Sequence, residues 1–223
     1  MGCAFRRAPC AAQHDKKGVI METEFKYALS DPSVFDEIIK NAEINKMGID
    51  AVEVIDMHAD YFDTADWDFR KKGIAYRIRQ EDDRCTATIK WDVNVREGLH
   101  QREEFNLVVN DERFAENPDI EFFISSDAYE VLHEAAGDKT LVATISMDYQ
   151  RRQFKVDTGR SISCISVDEG VIRHIDGHTV PICELEIEWY YGDEDDFMRL
   201  AELIQKKYGL VAEDRSKLQR AFE

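Results

Sequence analysis

The stretch Met21–Leu29 reads METEFKYAL, and its alternation decides how the rest of the chain is read. Successive side chains of a strand point to opposite faces. Glu22, Glu24 and Lys26 therefore share one face, and Thr23, Phe25 and Tyr27 the other. A sheet with one wet face explains this pattern. So does a site that binds a cation and an anion together, and one strand does not separate the two.

The same division recurs along the chain. In YRIRQ, Arg77 and Arg79 oppose Tyr76 and Ile78; in TATIK, Thr86, Thr88 and Lys90 oppose Ala87 and Ile89. REEFNL sets Arg102, Glu104 and Asn106 against Phe105 and Leu107, and CELEIEW sets Glu184, Glu186 and Glu188 against Leu185, Ile187 and Trp189. The adjacent arginines of RRQFKV are sorted by parity: Arg151 goes with Gln153 and Lys155, Arg152 with Phe154 and Val156. Solvent is the simpler destination for any single charged face. Against it, these faces favour Arg and Glu over Ser, Thr and Gln, and the triple Glu184–Glu186–Glu188 repels itself unless a cation is present. A closed barrel with the charged faces inward would surround a metal ion with carboxylates and phosphates with basic groups.

Between the strands, LSDPSVFDEIIKNAEINKMG reads as one helix, with Asp31 as cap and Pro32 in its first turn. SSDAYEVLHEAAG reads as a second, ended by Gly137, and DEDDFMRLAELIQKKYGL as an amphipathic third. The acidic run Asp193–Asp196 suits that helix's N-terminal dipole. The further strands are VEVIDMHADYFDTAD, TLVATISMDYQRRQFKVD and SISCISVDEG. No repeat or linker interrupts the pattern, so the fold class is α+β, with a mainly antiparallel sheet in one domain.

Composition narrows the partners. The 223 residues carry a formal net charge of −17, which argues against a nucleic-acid binder. An anionic ligand needs locally concentrated basic groups or an accompanying metal. Five cysteines without a CxxC pair read as reduced thiols of a cytoplasmic protein, and no apolar run has the length of a membrane span. The six histidines show no metal spacing and read as surface or loop residues. Residues 1–20 lack a secretory pattern, and MGCAFR has Arg6 where myristoylation prefers Ser or Thr. They read as a flexible extension, or an upstream start ahead of Met21, dispensable to the domain at 21–223.

ETEFK matches the ExExK signature of the CYTH, or triphosphate tunnel metalloenzyme, family. YFDTAD, GIAYRIRQE, TIK, REEF, VDEG, ELEIE and GLVAEDRSKLQRAF resemble that family's successive motifs, in order, from Met21 to the C-terminus. The resemblance implies an eight-stranded antiparallel β-barrel forming a tunnel, with a charged interior and helices packed outside. Family members hydrolyse inorganic triphosphate, thiamine triphosphate or nucleoside triphosphates, and some cyclise ATP. By motif, Glu22, Glu24 and Lys26 would form the catalytic end. Arg77, Arg79, Lys90, Arg102, Arg151 and Lys217 would hold phosphates, and Glu104, Asp168, Glu184, Glu186 and Glu188 would bind Mg²⁺ or Mn²⁺. Asn106 departs from the pattern, standing where a further Glu is common.

The expected activity is metal-dependent hydrolysis of a linear triphosphate. Its alternatives are a class IV-type adenylate cyclase and a non-catalytic polyphosphate- or nucleotide-binding module. The expected partner is a small-molecule triphosphate, with no nucleic acid or membrane, and a homodimer is the assembly expected if one forms. Inorganic triphosphate is favoured because Tyr76 and Trp91 fall on the apolar face, leaving no adenine reader. No Gly-rich phosphate loop is present. Neutralising Glu184 and Glu186 is expected to spare folding and to relieve repulsion between them.

Overall fold

Strand after strand of the alternating pattern pairs antiparallel with its neighbour until the first meets the last. The computed structural model describes residues 18–81, 84–109 and 118–223. The strands are β1 (Val19–Ala28), β2 (Glu53–Thr64), β3 (Ala75–Glu81), β4 (Arg84–Arg96), β5 (Leu99–Val109), β6 (Leu141–Asp157), β7 (Ser161–His174), β8 (Thr179–Gly192) and the two-residue β9 (Val211–Ala212). They run in the order β5-β4-β3-β2-β6-β7-β8-β1-β9, and β1 also pairs with β5, which closes an eight-stranded antiparallel barrel.

The apolar faces point outward and are covered in two places. Tyr27, Phe154, Ile165, Leu185 and Ile187 pack beneath α1 (Val34–Lys40), α2 (Ala42–Met47) and α5 (Glu194–Tyr208). Tyr76, Ile78, Ala87 and Ile89 pack beneath a 3₁₀ turn (Ile120–Phe123), α3 (Asp68–Lys71) and α4 (Asp127–Ala136). Tyr76 and Trp91 are buried on this outer side. The acidic run does cap α5, with Asp193 Oδ1 accepting from the Asp196 N–H at 2.9 Å.

Three expectations change. The helix read through residues 29–48 is two helices, broken at Asn41, whose ψ of 122° is extended. Its side-chain oxygen accepts from the N–H groups of Glu43 and Ile44, so it caps the second helix instead of continuing the first. One end of the barrel bore is apolar: Tyr61, Ile145, Met147, Ile172 and Ile182 form a third cluster there. They lie on the inward side because they alternate in phase with Arg151, Asp168 and Glu184. The last helix, α6 (Lys217–Arg220), does not pack outside. It lies across that same end, with Ala221, Leu218 and Phe222 against the apolar cluster.

The first strand reaches into the expected extension. Residues 1–17 of the expected extension lie outside the described residues, but β1 begins at Val19, two residues before Met21. Val19 is 5% exposed and pairs with Phe105, and Ile20 pairs with Glu104. A chain shortened to begin at Met21 is therefore expected to lose roughly 1.5–3 kcal/mol relative to one beginning at Gly18, the worth of burying a valine. Urea unfolding midpoints of the two chains check this; equal midpoints would return the boundary to Met21. Among the described residues no helix is long and apolar enough to cross a membrane.

Candidate functional site

Inside the barrel, register decides which charges meet. Across the pairs, Glu22 faces Arg102, Lys26 faces Glu186, Lys90 faces Glu104 and Arg151 faces Asp168. Opposite charges so placed support the sheet, whereas like charges directly opposite weaken it. Among the described residues two like pairs line the bore, Asp168 opposite Glu184 and Glu24 opposite Glu188. The protein treats them differently.

Asp168, Glu184 and Glu186 form the deep group. One carboxylate oxygen from each lies within 4.8 Å of the others, and Asp168 and Glu184 are fully buried. Four cations answer them. Arg151 grips both oxygens of Asp168 at 2.7 Å and reaches Glu186 at 2.5 Å. Lys26 donates to Glu186 at 2.5 Å. From α6, Lys217 lies 2.7 Å from Asp168 and 3.0 Å from Glu186 and also meets Glu184, while Arg220 donates to Glu184. Burial alone would raise the Glu186 carboxyl, but Lys217, Lys26 and Arg151 together hold it well below the usual carboxylate range. Asp168 is lowered for the same reason, chiefly by Arg151 and Lys217.

Glu22, Glu24, Glu104 and Glu188 form the outer group, and here negative charge is in excess. Lys90 bridges Glu22 at 2.7 Å and Glu104 at 2.6 Å, and Arg102 bridges Glu22 at 2.9 Å and Glu24 at 2.5 Å. Lys90 and Arg77 overcome the burial of Glu104 and hold it at about 2. Glu188 makes no salt bridge among the described residues. Burial, then the like charges of Glu22, Glu24 and Glu104, push its carboxyl up to about 8 against a pull from Arg151. A half-buried acid crowded by like charges favours a nearby cation, and carboxylates are the hard oxygen donors a small divalent cation takes. The outer four suit such an ion by donor chemistry, while among the described residues Asp168, Glu184 and Glu186 are the group whose carboxylate oxygens come within 4.8 Å of one another. The departure at Asn106 has a local role: its amide donates to Glu104, and its oxygen accepts from the Thr88 hydroxyl at 2.7 Å.

Of the remaining basic residues named from sequence, Arg79 meets Glu81 near the mouth away from α6. Arg77 is half-buried without a salt bridge among the described residues, with Tyr61 and Tyr149 beside it. Burial alone would raise the Tyr61 phenol, yet Arg77, Lys90 and Lys217 bring it below its ordinary value. Tyr61, Tyr149 and Arg220 were not read from the sequence as site residues. Nor was His100, which is 1% exposed and corrects the reading of the histidines as surface or loop groups. Its Nε2 donates to the Glu213 carbonyl at 2.8 Å, and burial together with Lys26 keeps the ring neutral at pH 7.

Parity places the two adjacent arginines on opposite sides. Arg152 lies outside, donating to Asp36 at 2.9 Å and resting over the Phe35 ring at 5.1 Å. Arg151→Ala is expected to cost about 3–5 kcal/mol, because Asp168 and Glu186 stay buried with a cation missing. Arg152→Ala is expected to cost about 1 kcal/mol, the worth of an exposed pair and a cation–π contact. Chemical unfolding of the two variants gives the ranking, and the reverse order would place the strand one residue out of register.

Comparison with known proteins gives the following. A family model described as the CYTH domain matches residues 21–222. An inorganic triphosphatase of Haemophilus influenzae is 28% identical over 163 residues, 73% of this chain. The chain spans 44% of the length of that curated relative. Among solved structures, a candidate adenylyl cyclase of Hippeastrum with a dominant triphosphatase activity superposes with a TM-score of 0.67 at 20% identity, covering 90% of this chain and 95% of that one. A candidate adenylate cyclase of Bacillus halodurans gives 0.60 at 18% identity, covering 93% and 100%. At these identities the two structures establish the shared fold alone.

Proposed function

Because the chain belongs to the CYTH domain family, we propose that it is a divalent-metal-dependent triphosphatase whose preferred substrate is inorganic triphosphate. The observation that carries this reading is the partition of charge in the bore. One carboxylate group is balanced by four cations, while the other is short of positive charge. A linear triphosphate and a divalent ion bring the complementary charges. The Haemophilus inorganic triphosphatase lends the reading support from sequence.

Glu22, Glu24, Glu104 and Glu188 would hold Mg²⁺ or Mn²⁺, which when bound supplies charge neutralisation at phosphate oxygens. Lys26, Arg77, Arg79, Lys90, Arg102, Arg151 and Lys217 serve as the phosphate grip, those other than Arg77 exchanging carboxylate partners for substrate oxygens. Asp168, Glu184 and Glu186 act as counter-charges that hold those cations in place before substrate arrives. A cytoplasmic location fits the free thiols of Cys85, Cys164 and Cys183.

Hydrolysis needs the phosphate chain and water, whereas cyclisation must also seat a ribose hydroxyl against the α-phosphate. Among the described residues the inward aromatic rings include Tyr61 and Tyr149, set among Arg77 and Lys217, whose hydroxyls suit phosphate oxygens, and Tyr190, beside Glu188 and Cys164. The test is kcat/KM for inorganic triphosphate, thiamine triphosphate and ATP with Mg²⁺ and Mn²⁺, assaying cyclic AMP separately. Inorganic triphosphate is expected to lead by at least about tenfold. Efficient cyclic AMP formation with little phosphate release from inorganic triphosphate would overturn the proposal.

A further inference from the structure

We infer that His100 and Asp214 are positioning residues, which tie the β4–β5 turn to the segment after β9 and so hold Lys26 and Lys217 on one carboxylate. The consequence for phosphate binding rests on the triphosphate reading above; the placement of the two lysines does not.

Lys26 and Lys217 converge on the same oxygen, Glu186 Oε1, at 2.5 and 3.0 Å, and both also meet Glu184. Two buried ammonium groups so close repel each other. Their approach has to be fixed by the main chain that carries them.

That main chain is gathered at one place. β4 and β5 are joined by Glu97 and Gly98, whose φ angles of 52° and 82° make the two-residue turn that suits a twisted hairpin. The turn lies against β1 and β9. A Cβ on Gly98 would stand 2.8 Å from the Lys26 carbonyl oxygen and 3.1 Å from Ala212 Cβ, so the approach needs glycine. The Lys26 N–H donates to the Gly98 carbonyl at 2.8 Å, and the Lys26 carbonyl accepts from the Glu213 N–H at 2.9 Å. Lys26 is held from both sides.

Two side chains complete the tie. The Gly98 N–H donates to Asp214 Oδ1 at 2.6 Å, and His100 Nε2 donates to the Glu213 carbonyl at 2.8 Å. Both fasten the residues that lead directly into Lys217. With Nε2 committed as a donor, His100 Nδ1 is a bare acceptor, buried and without a partner among the described residues. A neutral ring in this place adds no third cation beside Lys26 and Arg102. Asp214 is exposed, and it is no part of the phosphate grip or of the metal group.

The experiment separates the hydrogen bond from the charge. Asp214→Ala removes the acceptor, whereas Asp214→Asn keeps an oxygen for the Gly98 N–H and removes the charge alone. The metal-free full chains are labelled with acetic anhydride, and each lysine is read by mass spectrometry against the exposed Lys206. Binding of inorganic triphosphate with Mg²⁺ is measured separately by titration calorimetry. In the parent protein Lys26 and Lys217 are 3% and 8% exposed and should resist labelling. Asp214→Ala is expected to speed labelling of Lys217 at least about fivefold and to weaken triphosphate binding by a similar factor, with little change in melting temperature. Asp214→Asn is expected to match the parent in labelling and to bind no more weakly. Loss of a negative charge by itself would instead tighten binding of an anion in both variants. Unchanged labelling of Lys217 in Asp214→Ala, or equal acceleration in the two variants, overturns the tie. Faster labelling with triphosphate binding unchanged overturns its part in phosphate binding. Failure of the parent to bind triphosphate counts against the triphosphate reading, while labelling judges the tie by itself.

Discussion

Replacing Glu184 and Glu186 together by Gln is expected to cost about 3–5 kcal/mol of folding stability and to reduce kcat/KM by at least about 100-fold. The first effect reverses the simple argument from like charges. Repulsion among the deep carboxylates is outweighed by Lys26, Arg151, Lys217 and Arg220, each of which pairs with Glu184 or Glu186. Amide oxygens cannot balance four buried cations, so those cations would repel one another in a desolvated site. The second effect follows because the same cations lose their alignment. Urea unfolding of the metal-free variant measures the stability change, and inorganic phosphate should restore part of it by taking the vacated place. An unfolding midpoint equal to or above that of the parent protein would remove the counter-charge role. The pH sign agrees. Glu186 and Asp168 are depressed in the folded protein, so their contribution is present above the ordinary carboxylate pKa of about 4–4.5 and disappears as pH falls through their lowered values.

Glu188→Gln is expected to act in the opposite direction on stability and to abolish the response to divalent cations. The folded protein raises this carboxyl from its ordinary value of 4.5 to about 8. A raised pKa means the folded state favours the protonated acid. Its stabilisation is complete below 4.5 and is lost as pH rises through about 8. The metal-free parent should therefore melt at progressively lower temperature across that interval. The variant should show a flatter profile and, at alkaline pH, a melting temperature higher by on the order of 5 °C. Added Mg²⁺ or Mn²⁺ should raise the melting temperature of the parent far more than that of the variant, and activity should fall by at least about 100-fold. Identical metal responses in the two proteins would take Glu188 out of the cation site.

The barrel and most of its charged lining were legible because alternation with period two survives any tertiary context that buries one face of a strand. Arg151 and Arg152 illustrate how far that reaches, since parity alone assigned them to opposite sides. Tyr61 and Met147 illustrate where it stops. They alternate with Asp60 and Asp148, and an apolar–polar alternation looks the same whether the apolar side chains point into a bore or out under a helix. Only the pairing of β2 with β3, which sets Tyr61 beside Arg77, reveals the direction. Arg220 was hidden for another reason: α6 is a four-residue helix, too short to display a periodicity, and its partner Glu184 lies 36 residues earlier. His100 gave no signal because a lone buried imidazole needs only one carbonyl. Val19 was missed because two apolar residues before Met21 are too few to declare a strand.

The seam where β1 meets β8 has a consequence for how the chain is made. Glu24 pairs with Glu188 and Ala28 with Glu184, so the barrel's N-terminal strand finds its second neighbour only after nearly the whole barrel has been synthesised. Until then the nascent sheet has a free edge on β1 and another on whichever strand came last, each a template for another chain. Contacts this remote in sequence impose slow folding, because loop closure precedes the reward. A ribosome pausing before Thr179, where β8 begins, would prolong exposure of the open sheet. Yield of native protein should thus depend on elongation through β7 and β8 more than on synthesis of the N-terminal half, with misassembled chains joined edge to edge through β1.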